Sequence, residues 1–164
     1  KILDYAHRQQ IAGKNIKIFK PKIDDRFSNV EVVSRKGYKT DAIGIDNISE
    51  IKNYDADVYV IDEFQFLKGN LDELYNLAQK GKKFFIAGLN LTAERKPFGK
   101  MGDLLCMSDN VQMLTAVCEV CRNENAIYTY YKGTNKSGDI LVGEKDYIPV
   151  CRKCYEKLIK EKSN

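Results

Sequence analysis

The chain has 164 residues, enough for one ordinary domain or a domain with a small module. A 43% hydrophobic and 30% charged composition fits a globular protein rather than a disordered or fibrous one. The net charge of +4 comes from 27 basic and 23 acidic residues spread along the sequence, too mild a surplus to mark a nucleic-acid partner by itself. No apolar run reaches the length of a membrane span and no signal peptide is evident, so the expected compartment is the cytosol, without membrane association.

The first residue is Lys1, and residues 1–12 read as the end of a helix closed by Gly13, which suggests that further residues precede it. Residues 15–19 form an expected strand stopped by Pro21. A polar loop carrying Asp24, Asp25 and Arg26 follows, then short strands at 31–34 and 41–45 around a turn at Gly37. Residues 48–54 read as a brief helix with Asn47 or Ser49 near its start.

Val58-Tyr59-Val60-Ile61 is a continuous apolar run of the kind found in strands buried on both faces of a parallel sheet. Asp62 and Glu63 close it, at the strand end where open α/β sheets bind ligands. As neighbours at a strand end they are expected to point to opposite sides, so that one can face a metal and the other a substrate. An acidic turn in solvent is the plainer alternative.

Leu71, Leu74, Leu77 and Ala78 recur at helical spacing between Asn70, a candidate N-cap, and Gly81. Residues 83–87 form the next buried strand, 95–99 (Arg-Lys-Pro-Phe-Gly) a loop, 101–107 a short helix and 111–117 a further strand. Cys106 is expected to pack in the core from an apolar helix face. Alternation of strands and helices to about residue 115 argues for an α/β fold with a parallel sheet and crossover helices. The texture then changes, and the expected division is residues 1–115 and 116–164.

The second part holds four of the five cysteines as two C-x-x-C pairs, Cys118/Cys121 and Cys151/Cys154, separated by 29 residues. Four thiolates from two tight turns suit a structural, tetrahedral Zn2+, and reducing conditions count against disulfides. The intervening segment exceeds an ordinary zinc-ribbon spacer, so residues 128–147 read as a loop pinned at both ends, with a tip around Lys132–Gly138.

Phe-Lys-Pro with Asp-x-Arg, Ile-Asp-Glu-x-Gln-Phe, Gly-Leu-Asn-Leu-Thr, Arg-Lys-Pro-Phe-Gly and the paired C-x-x-C occur here in that order. Together they resemble thymidine kinases of the bacterial and animal cytosolic type, over residues 1 to about 157. The resemblance implies a P-loop-type sheet joined to a zinc-ribbon-like module with a lasso loop. It implies ATP-dependent phosphorylation of the 5′-hydroxyl of thymidine or deoxyuridine in nucleotide salvage for DNA synthesis.

By resemblance, Glu63 is the general base, Asp62 helps to hold the Mg2+ that accompanies ATP, and Asp62, Glu63, Phe64 and Gln65 border the nucleotide. Arg26 would meet phosphate charge, a solvated loop arginine being the alternative. Phe66, Leu89, Thr92 and Phe98 would line the nucleoside pocket, although Phe66 and Leu89 could equally be core. Tyr147 would pack on the nucleoside, with Thr129, Ile140 and Val142 near it. The clamp pinned by the cysteines and the carboxylate of Glu63 are expected to act on the same sugar. A homotetramer inhibited by thymidine triphosphate is likewise implied.

Two features depart from the family pattern. Ala93 stands where a pocket phenylalanine is common, and no glycine-rich phosphate loop occurs in the 164 residues. That loop is expected ahead of the helix that Lys1 continues; these 164 residues would by themselves be expected to bind ATP poorly and to be inactive. The rival readings are a zinc-ribbon module that binds nucleic acid through Lys and Tyr residues, and a catalytically inactive relative.

Overall fold

The computed structural model describes residues 2–22, 31–33, 39–133 and 146–163. It separates into two compact units, Lys1–Asn90 with Phe98–Cys106, and Leu91–Pro97 with Met107–Asn164.

The first unit is built on four parallel strands in the order β4-β1-β5-β6: β1 (Ile16–Pro21), β4 (Ile43–Ile45), β5 (Val58–Ile61) and β6 (Lys83–Ile86). This is the expected α/β architecture. β5 lies at the interior of the sheet, and all four of its residues are buried. Val58 and Val60 pack with Ala6 of α1 (Ile2–Ile11), while Tyr59 and Ile61 pack with Phe19, Ile48, Ile51 and Leu74 on the other face. Each such aliphatic side chain contributes at most about 1.5–3 kcal/mol.

Pro21 does not stop β1 but ends it in register with Ile45. A final residue can lack its N–H because the next donor, from Lys22, reaches the Ile45 carbonyl at 3.1 Å. The expected strand at 41–45 divides at Ala42: β3 (Lys39–Asp41) pairs antiparallel with β2 (Glu31–Val33), and β4 joins the main sheet. Ile48–Asn53 is a 3₁₀ helix capped by Asn47, whose side chain accepts from Ser49 N at 3.0 Å. Glu50 returns the bond by accepting from Asn47 N at 2.9 Å, completing a capping box. α2 (Asp72–Gln79) starts where Asn70 Oδ1 accepts the Asp72 N–H at 3.2 Å.

α3 (Met101–Met107) turns Met101 and Leu104 inward. Cys106 is exposed, not core: two residues past Leu104 is about 200° round a helix, which carries it to the outer face.

In the second unit, β7 (Tyr128–Tyr131) and β8 (Tyr147–Val150) form an antiparallel ladder, and α4 (Arg152–Ser163) follows. The apolar alternation at 111–117 does not make a strand. Val111, Met113, Leu114 and Val117 are exposed, and the one bridge in that stretch joins Ala116 to Ala126. Alternation gives a strand only where a partner backbone accepts the ladder. Among the described residues no helix is long and apolar enough to cross a membrane.

Candidate active site and metal centre

β5 stops at Ile61, so strand alternation does not govern the two carboxylates after it. Glu63 instead has φ 51° and ψ 41°, the left-handed region, which a non-glycine residue occupies at some cost and chiefly at functional turns. The turn is tied on both sides: Asp62 N donates to Phe19 O at 3.0 Å and Phe64 N to Ala87 O at 3.0 Å. Asp62 Oδ1 accepts the Glu63 N–H at 3.1 Å. Both carboxylates are half-buried.

Gln65 is 3% exposed, a buried amide whose two ends are both used. Its Nε2 donates to Glu63 Oε2 at 2.5 Å, and its Oε1 accepts from Leu89 N at 3.1 Å. The chain leaves no room for anything larger around it. A Cβ on Gly88 would lie 2.5 Å from Gln65 Oε1, and one on Gly99, at φ 52°, would lie 2.3 Å from Gln65 O.

Phe64 is fully buried in the core, so its side chain is not available to a nucleotide. Phe66 is half-buried and meets buried Phe98 edge-on, with ring centroids 5.3 Å apart. Leu89 is exposed. Asp62, Glu63, Gln65 and Leu89 are thus brought together, with Phe66 on the same short turn and Phe98 against its ring.

In the second unit, Thr129 pairs with Pro149 and Tyr131 with Tyr147 across the ladder. Alternation therefore puts Thr129 and Tyr147 on one face of the hairpin, and Tyr130, Ile148 and Val150 on the face that packs with the cysteines. Tyr147 is half-buried, and burial, followed by the neighbouring Tyr131, Glu94 and Asp146, raises its pKa. Thr92 lies half-buried in the loop Leu91–Pro97, where its N–H donates to Lys96 O at 2.9 Å. Arg26, Ile140 and Val142 lie outside the described residues.

The sulfur atoms of Cys118, Cys121, Cys151 and Cys154 all lie within 4.8 Å of one another. A tetrahedron with metal–sulfur arms of about 2.3 Å has edges of about 3.8 Å, and Cys121 Sγ is 3.7 Å from Cys151 Sγ. The acidities of the group are split. Burial, the largest influence, pushes the Cys118 thiol up, but N–H donors from Cys121, Cys151 and Val120 and the Cys121 side chain bring it down to about 6. Cys154 is pushed up to about 12, first by burial, then by hydrogen bonds with Cys151, Cys121 and Cys118. Four thiols this close resist ionising together unless a cation shares their charge, and the donor set fits zinc.

A family model described as thymidine kinase matches residues 1–155. The chain belongs to the thymidine kinase family. It is 38% identical over 159 residues to the thymidine kinase of Mycoplasma mobile, covering 94% of this chain and 76% of that protein. It is 35% identical over 161 residues to that of Porphyromonas gingivalis (96% and 78%). It is 34% identical over 158 residues to that of Bacteroides fragilis (94% and 78%). Membership in the thymidine kinase family makes this a kinase of nucleotide salvage and favours that reading over a nucleic-acid-binding ribbon.

The motif reading of this thymidine kinase relative included Gln65 only as a neighbour of the nucleotide; its grip on Glu63 required the fold. It missed Tyr155 entirely. The one signal was its place beside Cys154, which does not say that its hydroxyl donates to the Ala93 carbonyl at 2.6 Å.

Proposed function

We propose that the protein transfers the γ-phosphate of ATP to the 5′-hydroxyl of thymidine or deoxyuridine. The observation that carries this is Glu63: a carboxylate at the carboxyl end of a buried parallel strand, set on a left-handed backbone and gripped by the buried Gln65 amide. Phosphoryl transfer asks a protein for positioning, for neutralisation of phosphate charge and for an acceptor of the hydroxyl proton. Glu63 takes that proton from the 5′-hydroxyl. Asp62, a half-buried carboxylate, is of the oxygen-donor type that would hold Mg2+, which when bound neutralises phosphate charge.

Kinship supports extending the proposal to the remaining roles. Phe66, Leu89, Thr92, Phe98, Thr129 and Tyr147 are the residues proposed to contact the nucleoside. Ile140 and Val142 assist them, and Arg26 meets phosphate. The backbone of residues 62–65 borders the nucleotide. Residues 1–115 are read as the nucleotide-binding kinase domain and residues 116–164 as the zinc and lasso domain, with Cys118, Cys121, Cys151 and Cys154 holding structural Zn2+. A cytoplasmic homotetramer inhibited by thymidine triphosphate completes the proposal.

The test is transfer of labelled phosphate from ATP-Mg2+ to thymidine by the full-length protein, beside Glu63→Gln. The substitution is expected to lower kcat by about 10²–10⁴-fold while leaving thymidine binding in place. Full turnover in the variant removes the assigned base. No turnover in the unaltered protein, with its zinc present, favours an inactive relative.

A further inference from the structure

Tyr155 follows the last cysteine of the metal cluster and is 3% exposed. Its ring takes the edges of Tyr128 and Tyr130, with centroids 5.2 and 6.0 Å away. A phenylalanine would fill that aromatic space as well. What it would lack is the hydroxyl, which donates to the Ala93 carbonyl at 2.6 Å.

Ala93 belongs to the loop Leu91–Pro97, closed on itself by the Leu91–Pro97 bridge and by Arg95 N donating to Thr92 O at 3.0 Å. That closure puts Arg95 at φ 63°, in the left-handed region. A non-glycine residue stays there only where its surroundings hold it. Here α4 supplies the hold: the Arg95 guanidinium lies 4.8 Å from the Tyr155 ring centroid and pairs with Glu156 at 2.5 Å. Three contacts, a hydrogen bond, a cation over a ring and an ion pair, thus run from two consecutive residues of α4 to one short loop. The first turn of α4 also carries Cys154, and Tyr155 N donates to Cys151 O at 2.9 Å.

We propose that Tyr155, with Arg95 and Glu156, forms a positioning set through which the metal-holding end of α4 fixes the loop bearing Thr92, so that thymidine affinity depends on the state of the cysteine cluster. The dependence on thymidine rests on the placing of Thr92 at the nucleoside in the proposed function; the tie between loop and helix does not. None of the three residues touches a reacting atom. Their effect passes through the loop backbone.

Residues Glu94, Arg95 and Lys96 are exposed, so trypsin cleavage after Arg95 reports how firmly the loop is held, independently of turnover. Tyr155→Phe and Glu156→Ala are compared with the unaltered zinc-loaded, full-length protein. The readouts are zinc content, cleavage rate, and kcat with KM for thymidine and for ATP. Tyr155→Phe is expected to keep its zinc, to be cut about three- to tenfold faster, and to raise the thymidine KM by a similar factor, the loss of one hydrogen bond. Its kcat and its KM for ATP stay within about twofold, since neither reports the loop. Glu156→Ala, which removes only an exposed ion pair, is expected to speed cleavage by about two- to threefold. Removal of zinc from the unaltered protein speeds the same cut.

Unchanged cleavage and unchanged thymidine KM in Tyr155→Phe overturn the proposal. Loss of zinc by Tyr155→Phe also overturns it, because Tyr155 is then a residue of the metal module's fold. Faster cleavage with an unchanged thymidine KM upholds the tie and overturns the placing of Thr92 at the nucleoside.

Discussion

Glu63, on its left-handed backbone, and Gln65 flank Phe64, whose side chain packs in the core. The Gln65 amide is the link between the Glu63 carboxylate and the Leu89 N–H. Gln65→Ala is therefore expected to lower kcat by about 10²-fold, the cost of misplacing a reacting group by about an ångström. Circular dichroism before and after the substitution separates this from unfolding. Gly99→Ala should act on the same site from the backbone side. Its new methyl meets Gln65 O at 2.3 Å, so a loss of about 1–3 kcal/mol in urea unfolding is expected. The motif Asp-Glu-x-Gln was legible in the sequence, but the packing of Phe64 in the core and the grip of Gln65 on Glu63 were not. They depend on the left-handed turn at Glu63 and on partners distant in the chain, which no periodicity encodes.

At the scale of elements, local chemistry predicted most of what formed. Apolar runs became β5 and β6, the spacing of leucines became α2, and Asn47 capped its 3₁₀ helix. The cap makes a pH prediction. Glu50 accepts N–H bonds from Asn47 and Asp46, and these donors hold its carboxyl below the ordinary carboxylate range. A group depressed in the folded state stabilises above its unfolded pKa and loses that contribution as pH falls through its folded one. Stability should therefore drop on acidification below about pH 4.5 in the unaltered protein. Glu50→Gln should remove part of this acid limb, as read by urea unfolding at a series of pH values. Where element prediction failed, at 111–117 and at Cys106, the missing quantity was a neighbour. Alternating apolar residues need a partner strand, and a helical cysteine needs to fall on the inward arc.

Over the whole molecule, the two units have separate cores, one around Phe19, Tyr59 and Phe64 and the other around the cysteines with Tyr130, Val150 and Tyr155. Bound structural zinc is worth on the order of 10–16 kcal/mol to small zinc-dependent folds, so the second unit should depend on it. Chelation under reducing conditions is expected to abolish the near-ultraviolet circular dichroism of its tyrosines while most far-ultraviolet signal from the parallel sheet and its helices remains. A single transition that takes both signals together would contradict two cores. The sequence by itself determined the α/β pattern, the acidic strand end, the four paired cysteines that the fold clusters and membership of the family. Each of these is written in periodicity or spacing over neighbouring residues, or in the order of short motifs. Tertiary structure alone decided that Phe64 is core, that Gln65 grips Glu63, that Cys106 faces outward and that Leu91–Pro97 packs with α4. Those outcomes depend on which distant backbone atoms and rings the closed chain presents, and such partners leave no local trace.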